Sequence, residues 1–199
     1  SSPDYLARAL DSSLARLGME QVDLVYIHRP DLLAHPAQTA GALDRFIRAG
    51  KAKAVGVSNF SLAQLRALAS HMKAPLAAHQ FEFSPLHTAP LFDGALDHAM
   101  EAGLEAFAWS PLGGGRLTSG EDARTVRVRA ALAAIGEERG LCLAGAAVAF
   151  LCAHPAGVRP ILGTRNAERL RAAAAGAHAP VGRTAWYAVV EAALGERLP

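Results

Sequence analysis

Short apolar runs alternate along this 199-residue chain with stretches in which apolar residues recur every three or four positions. Val22, Leu24, Val25, Tyr26 and Ile27 form the first such run, which is typical of a buried parallel strand. Later runs predict further strands at 53–57, 75–81, 104–109 and 158–162. Because enough chain for a helix separates each run from the next, the pattern predicts parallel βαβ units and an α/β fold.

Capping residues mark the helices between these runs. The first helix is predicted to begin at Ser2-Pro3-Asp4, with a cap, a first-turn proline and an acidic residue, and to end at Gly18. The other helices are predicted from Leu43 to Gly50, from Ser61 to Met72, from Leu91 to Gly103, over 123–139 and 144–153, from Asn166 to Ala175, and over about 181–198. The glycine-rich stretch 110–120 is expected to be a loop.

Doubly wound sheets and (β/α)8 barrels share this alternation of strands and helices. The TIM-barrel type is favoured because no GxGxxG motif follows a strand and because polar residues end every strand. We therefore expect a single (β/α) barrel domain over 1–199. With only five predicted strands, that barrel is expected to be incomplete. The start at Ser1, without a methionine, suggests a chain excerpted from something longer.

Composition narrows the class of protein. Hydrophobic residues make up 51% of the chain and charged residues 19%, which suits one domain with a sizeable core. A net charge of +2 without a basic stripe argues against a nucleic-acid partner. Neither a signal peptide nor a transmembrane run is evident, so no membrane partner is expected. Cys142 and Cys152 form no CxxC motif, which favours a reduced, cytoplasmic protein without a metal site.

Polar side chains follow each predicted strand. They are His28, Ser58-Asn59, Gln80, Trp109-Ser110 and Gly163-Thr164-Arg165. Each has an ordinary structural interpretation: a core histidine, a loop before a helix cap, a glutamine bonded to backbone, a rim aromatic, or a surface charge. On a parallel barrel, however, all strand ends point to the face that carries catalytic sites. The five together therefore favour a ligand site.

The residue types at these strand ends have a common chemical target. Asn and Gln amides beside a serine can bind a carboxamide, and an indole can stack on a flat heteroaromatic ring. The glycines at 113–115 offer backbone N–H groups to a pyrophosphate, whereas Arg165 and Arg169 at a helix N-terminus suit a phosphomonoester. A carboxamide, a flat ring, a pyrophosphate and an extra phosphate together indicate NADP as the cofactor.

Five segments resemble the aldo-keto reductase family. They are DLVYIHRPD (23–31), AVGVSNF (54–60), QFEFSPL (80–86), AFAWSPLGGGRL (106–117) and ILGTRNAERL (161–170). Their order is similar to that of barrel strands 4–8 of the family, and the resemblance runs from about residue 5 to about residue 175. Tryptophan at 109, where many members have tyrosine, resembles a bacterial branch. Alanines at 172–173 replace the family's usual adenine contacts.

The resemblance assigns a role to each strand end. It implies that His28 is catalytic and that Ser58, Asn59 and Gln80 bind the nicotinamide carboxamide. It further implies contacts to the nicotinamide ring and the pyrophosphate from Trp109, Ser110, Leu112 and Gly113. Contacts to the 2′-phosphate are implied for the segment with Gly163, Thr164, Arg165 and Arg169. The implied function is NADP-dependent reduction of a small-molecule carbonyl substrate by hydride transfer.

The family portion that carries the catalytic aspartate, tyrosine and lysine has no counterpart here. Tyr5, Tyr26 and Tyr187 are the three tyrosines, and none lies in a predicted strand-end loop. The chain is therefore expected to be a truncated reductase that is weak or inactive alone. The alternative is a catalytically silent NADP-binding or regulatory module of the same fold. A five-stranded partial barrel would leave two sheet edges, which a homo-oligomer or a missing N-terminal segment would cover.

Overall fold

The computed structural model describes residues 2–198 and confirms the alternation of strands and helices. The strands are β1 Val22–Ile27, β2 Ala52–Ser58, β3 Ala78–Glu82, β4 Glu105–Trp109 and β5 Arg159–Pro160. The helices are α1 Pro3–Leu17, α2 Pro36–Arg48, α3 Leu62–Ala69, α4 Ala95–Ala102, α5 Arg116–Ser119, α6 Ala123–Arg139, α7 Leu143–Cys152, α8 Ala167–Ala174 and α9 Arg183–Leu194, with 3-10 turns at Ala89–Leu91 and Gly113–Gly115.

The strands form a parallel sheet, which confirms the α/β class. Their hydrogen-bonded order is β1-β2-β3-β4-β5. Val22 pairs with Ala52 at the start of β1, Ser58 pairs with Gln80, and β4 and β5 pair in parallel. The carboxyl ends of parallel neighbours therefore lie at the same edge of the sheet.

The chain divides into two compact units. The first comprises the chain up to Gln80 together with Glu101–Leu104, and the second comprises Phe81–Met100 and the chain from Glu105 onwards. In the first unit, Val55 and Val57 of β2 are completely buried, whereas most of β1 is half-exposed. The prediction of a buried β1 was wrong in this respect. Within the described residues β1 has one neighbour, β2, so one side of the strand lacks cover.

Helix termini follow the capping residues. Ser2 accepts a hydrogen bond from the Tyr5 amide at the start of α1, and Gly18 closes that helix with φ 65°. Asp122 and Gly140 bound α6 at the predicted residues. His35 caps α2 through its ring nitrogen, a cap that the sequence did not indicate.

Several predicted boundaries were wrong, among them the start of α2, which is Pro36 rather than Leu43, and the start of β3, which is Ala78 rather than residue 75. The stretch 110–120 contains a 3-10 turn and α5 rather than a plain loop, and α3 ends at Ala69 rather than Met72. The helix expected from Leu91 begins at Ala95, because the left-handed Gly94 interrupts it. Strand β5 has only two residues, although just beyond it the Ile161 N–H donates to the Ala108 carbonyl oxygen of β4 at 2.8 Å.

Aromatic stacking and close helix contact form the core of the second unit. Phe150 of α7 stacks on Trp186 of α9, and the Trp186 indole N–H donates to the Phe150 carbonyl oxygen at 2.9 Å. A Cβ at Gly176 would lie 1.9 Å from the Gly145 oxygen, so glycine is required there.

Burial lowers the pKa of His154, which lies just past α7, and the nearby charge of Asp97 opposes this shift in part. No described helix is long and apolar enough to cross a membrane.

Candidate functional site

Asn59, just past the end of β2, connects the residue that follows β1 with β3. Gln80, predicted to end its strand, is the middle residue of β3, because this strand continues to Glu82. Its backbone N–H donates to the Gln80 oxygen at 2.9 Å. Its side-chain Nδ2 donates to the His28 carbonyl oxygen and to Ser58 Oγ, each at 3.0 Å. Ser58 is buried, Gln80 is half-buried and His28 is exposed. Asn59 therefore bonds to the backbone of His28 and Gln80 and to the hydroxyl of Ser58, the other three residues predicted to lie around the nicotinamide.

The backbone at this point is left-handed. Among residues 2–198, the non-glycine residues with positive φ are Asn59, at 61°, and Ser110, at 50°. Each directly follows a strand, and each was predicted to bind the cofactor. Left-handed backbone costs a non-glycine residue about 1–2 kcal/mol, and such strain is concentrated at functional sites. The sequence reasoning missed both conformations; asparagine tolerates φ > 0, but nothing in the serine signals it.

The second unit presents the indole and the glycine loop. Trp109 is the last residue of β4 and is half-buried. The backbone carbonyl oxygen of Ser110 accepts a hydrogen bond from the Gly113 N–H at 2.7 Å, which closes the loop through Leu112. Gly113 is buried against Leu86, with an imagined Cβ only 3.0 Å from Leu86 Cδ1. Gly114 and Gly115 are also left-handed, but they are exposed and a Cβ on either would meet nothing within 4 Å.

Arg165 precedes α8, and Arg169 lies in the first turn of that helix. Thr164 Oγ1 accepts from the Asn166 N–H at 3.1 Å, and Asn166 Oδ1 caps the helix by accepting from the Arg169 N–H at 3.0 Å. Gly163, Arg165 and Arg169 are exposed. Within residues 2–198, no carboxylate forms an ion pair with either arginine. Cations at a helix N-terminus are unfavourable unless an anion joins them.

The structure thus brings together His28, Ser58, Asn59 and Gln80 in one unit. In the other unit it joins Ser110 to Gly113 and Thr164, through Asn166, to the backbone of Arg169. Their joint use for one ligand stays a prediction. The described residues include no cluster of three or more histidine, cysteine or acidic side chains suited to a metal ion.

The side chains present suit a nicotinamide dinucleotide. Amide and hydroxyl groups at the end of β2 and on β3 can bond to a carboxamide, and the indole offers a stacking face. Left-handed glycines with open space beside them allow close approach of a diphosphate to the backbone. The two unpaired guanidinium groups can hold a further phosphate. Taken unit by unit, the groups present therefore fit the parts of the cofactor that the sequence assigns to them.

Comparison with known proteins agrees with these features. The model of the Aldo/keto reductase family matches residues 1–189. A 6-dehydroglucose reductase of Novosphingobium aromaticivorans is 48% identical over 198 residues, covering all of this chain and 65% of that protein. A 6-dehydroglucose reductase of Agrobacterium fabrum is 40% identical, covering 96% of this chain and 63% of that protein.

The fold is also found among solved structures. A thermostable aldo-keto reductase in complex with the inhibitor epalrestat superimposes with a TM-score of 0.87 at 25% identity. That match covers 96% of this chain and 67% of the other. The chain therefore spans about two thirds of the length of the proteins it matches. The family match, the sequence identity and the shared fold together show that the chain belongs to the aldo-keto reductase family of oxidoreductases.

Proposed function

We propose that this chain forms the cofactor-binding part of an NADPH-dependent reductase whose substrate is the carbonyl group of a dehydro-sugar. The observation that carries the proposal is the Asn59 network, which holds His28, Ser58 and Gln80 at one sheet edge. The names of the two 6-dehydroglucose reductases supply the substrate class. Such a reduction adds a hydride to the carbonyl carbon and a proton to its oxygen.

When bound, a reduced nicotinamide supplies that hydride and becomes oxidised. Ser58, Asn59 and Gln80 would fix its carboxamide, so that one face of the ring is turned to the substrate. Trp109 would offer its indole as a stacking surface for the nicotinamide ring. His28 would donate a hydrogen bond to the carbonyl oxygen, which orients the group and stabilises the negative charge that grows there.

The preference for NADP over NAD rests on two exposed arginines. Arg165 and Arg169 flank the start of α8 and have no acidic partner among the described residues. A phosphate at this position gains charge-assisted hydrogen bonds from both guanidinium groups and favourable interaction with the helix N-terminus. The glycine loop, with Leu112 and Gly113, would then lie against the pyrophosphate.

No tyrosine of the chain lies at the proposed site to supply the proton. Tyr5 lies in α1, Tyr26 within β1 and Tyr187 in α9, so no tyrosine follows a strand. We therefore propose that the 199-residue chain binds NADPH but reduces carbonyls slowly by itself. Binding without measurable turnover would favour the second candidate, an NADP-binding module.

Fluorescence titration tests cofactor binding. NADPH is expected to quench Trp109 when the nicotinamide stacks on it. Trp109→Phe should abolish that quenching, while Trp186→Phe, which alters the indole stacked on Phe150, should keep it. The cofactor assignment would be overturned if both variants quenched like the unaltered chain.

A turnover assay tests the catalytic part separately. NADPH oxidation is followed by absorbance with 6-dehydroglucose and with a simple aromatic aldehyde. His28→Ala is expected to remove what turnover there is and to keep NADPH affinity, since the imidazole lies outside the proposed carboxamide contacts. Turnover that survives His28→Ala would rule out the role given to this histidine.

A further inference from the structure

The glycine loop after β4 uses its own backbone N–H groups to hold itself together. The Gly113 N–H donates to the Ser110 carbonyl oxygen at 2.7 Å, and the Gly115 N–H donates to the Leu112 carbonyl oxygen at 3.2 Å. The Arg116 N–H, directly after these glycines, donates to the Gly113 carbonyl oxygen. An N–H group that already has an acceptor adds little to the binding of an anion. A diphosphate at this loop therefore needs donors from a side chain.

The side chain of Arg116 lies against the loop. Its Nε–H donates to the Gly113 carbonyl oxygen at 3.3 Å, so the guanidinium group is held beside the glycines. An arginine has five N–H donors, of which the bond to Gly113 uses one and the two Nη groups carry the rest. Within residues 2–198, neither Nη1 nor Nη2 of Arg116 has an acceptor. The loop therefore carries a positive charge whose strongest donors are unused.

No acidic side chain of the described chain forms an ion pair with Arg116. The two acidic residues that follow α5 have other partners. Asp122 accepts from the N–H and the hydroxyl of Thr125, at 3.0 Å and 2.7 Å, and Glu121 Oε1 lies 3.8 Å from Arg129 Nη2. The hydrogen bonds from Thr125 lower the pKa of Asp122 most, and the charge of Arg116 lowers it least. Arg116 is therefore available to an anion from outside the chain.

The backbone between Gly113 and Arg116 is open to such an anion. Gly114 and Gly115 are exposed, and a Cβ on either would meet nothing within 4 Å. Residues without side chains allow a phosphate to approach the backbone closely. A guanidinium group can then bind two oxygens of that phosphate at once.

We propose that Arg116 binds a diphosphate at the glycine loop through Nη1 and Nη2. This inference rests on the proposed function for the nature of the ligand, which is there the diphosphate of a nicotinamide dinucleotide. The side chain of Arg116, more than the loop N–H groups, then provides the attraction. Because NADPH and NADH share the diphosphate, Arg116 strengthens the binding of both cofactors, whereas Arg165 and Arg169 act on the extra phosphate of NADPH alone.

A purely structural role for Arg116 makes a different prediction. The Gly113 carbonyl oxygen also accepts from the Arg116 backbone N–H, so this closure of the loop survives the loss of the Nε–H bond. If the side chain only supported the loop, its loss would change the melting temperature and leave the salt dependence of cofactor binding as it is. If it binds a diphosphate, its loss reduces that salt dependence.

Fluorescence titrations of the 199-residue chain with NADPH and with NADH test the assignment. Arg116→Gln is expected to weaken both cofactors about tenfold at low salt and to reduce the salt dependence of both. Arg116→Lys, which keeps the charge without the planar fork, should weaken both about threefold. Arg124→Gln removes the same charge from an exposed position on α6 that has no bond in the described chain, and should leave both affinities unchanged.

Three results of these titrations would overturn the role of Arg116. They are equal affinities in Arg116→Gln and the unaltered chain, a loss confined to NADPH, and an equal loss in Arg124→Gln. Circular dichroism of each variant shows that the fold is kept, as expected for changes at exposed side chains.

Inorganic pyrophosphate separates this inference from the proposed function, because it contains no nicotinamide. In amide NMR titrations it is expected to shift resonances of 112–117 with a Kd on the order of 1 mM, and Arg116→Gln should remove these shifts. Arg116-dependent binding of pyrophosphate without binding of NADPH would support the anion site and overturn the proposed function. NADPH binding that does not depend on Arg116 would do the reverse, and binding of neither ligand would overturn both.

Discussion

The two groups of proposed cofactor residues are held in different ways. In the first unit, Asn59 bonds to His28, Ser58 and Gln80, and Ser58 is 1% exposed. In the second unit, two of the three left-handed glycines, Gly114 and Gly115, are exposed, and Arg165 and Arg169 are exposed without acidic partners among the described residues.

This difference matches what each part of a dinucleotide requires. A neutral carboxamide is recognised only when donors and acceptors stand at fixed positions, so its binding residues need rigid support. A phosphate attracts cations from several ångströms away, so its binding residues can rely on charge with looser support. Variants that disturb packing should therefore affect the first group more, and variants or conditions that change charge should affect the second.

The largest effect is expected from glycine-to-alanine exchanges. At Gly56 of β2, a Cβ would lie 2.7 Å from the Ala78 oxygen and 2.9 Å from the Tyr26 ring. Gly56→Ala should lower the free energy of unfolding by about 3 kcal/mol. Gly114→Ala meets no atom and should cost only about 1 kcal/mol, from its positive φ. Urea denaturation followed by circular dichroism measures both. Equal losses would show that the two units are supported alike.

Two aspartates that cap backbone N–H groups give the next contrast. Asp44 is buried and accepts from the N–H groups of Lys73 and Ala74 at 3.1–3.2 Å. Asp44→Ala should cost about 2 kcal/mol in unfolding free energy, because it leaves these donors without an acceptor. Asp122 is exposed and caps α6, so Asp122→Ala should lower the free energy of unfolding by less. A larger loss for Asp122→Ala would contradict the assigned difference in support.

Salt should separate the arginines from the strand-end residues. Arg169→Ala is expected to weaken NADPH binding about tenfold at low salt, to leave NADH binding unchanged, and to reduce the salt dependence of NADPH binding. Ser58→Ala should weaken both cofactors and keep the salt dependence. Fluorescence titrations at several salt concentrations provide the measurement. If Ser58→Ala and Arg169→Ala had the same salt dependence, the proposed division of roles would be wrong.

The smallest effect is a pH dependence in the second unit. Burial holds the pKa of His154 below its ordinary value, so the unfolded chain binds a proton more readily than the folded one. The contribution of His154 to the free energy of unfolding is fully present above the pKa of the unfolded chain, about 6.5. It is lost as the pH falls towards the lower pKa that His154 has in the folded chain. His154→Asn should flatten the pH dependence of stability in this window, whereas the exposed His178→Asn should not. Thermal unfolding between pH 7 and pH 5 tests this, and identical profiles for both variants would refute it.

Elements with strong local signals were predictable from the sequence. Helix α6 has the predicted bounds, since Asp122 caps its start and Gly140 closes it. The ends of β1, β2 and β4 lie within one residue of their predicted positions, because apolar runs stop where polar side chains begin. The identity of the strand-end residues, and the family resemblance they carry, also came from sequence alone.

The contacts that organise the site were not predictable in the same way. Asn59 bonds to His28 and Gln80, which are 31 and 21 positions away in the chain. Such bonds depend on the register of neighbouring strands, which local patterns do not specify. The exposure of β1 has a similar cause, since hydrophobic runs indicate a strand but not how many neighbours it has. The left-handed Ser110 has no local signal at all.

Asn59 also shows how two physical demands can restrict a position to one amino acid. Its left-handed backbone favours glycine, asparagine and aspartate over the other residues. Its place beside the His28 carbonyl oxygen and Ser58 Oγ requires a side chain with two N–H donors. Glycine has no side chain, and aspartate would place a carboxylate against a carbonyl oxygen. Of the amino acids that this backbone favours, only asparagine meets both demands, so we expect very few amino-acid substitutions at position 59.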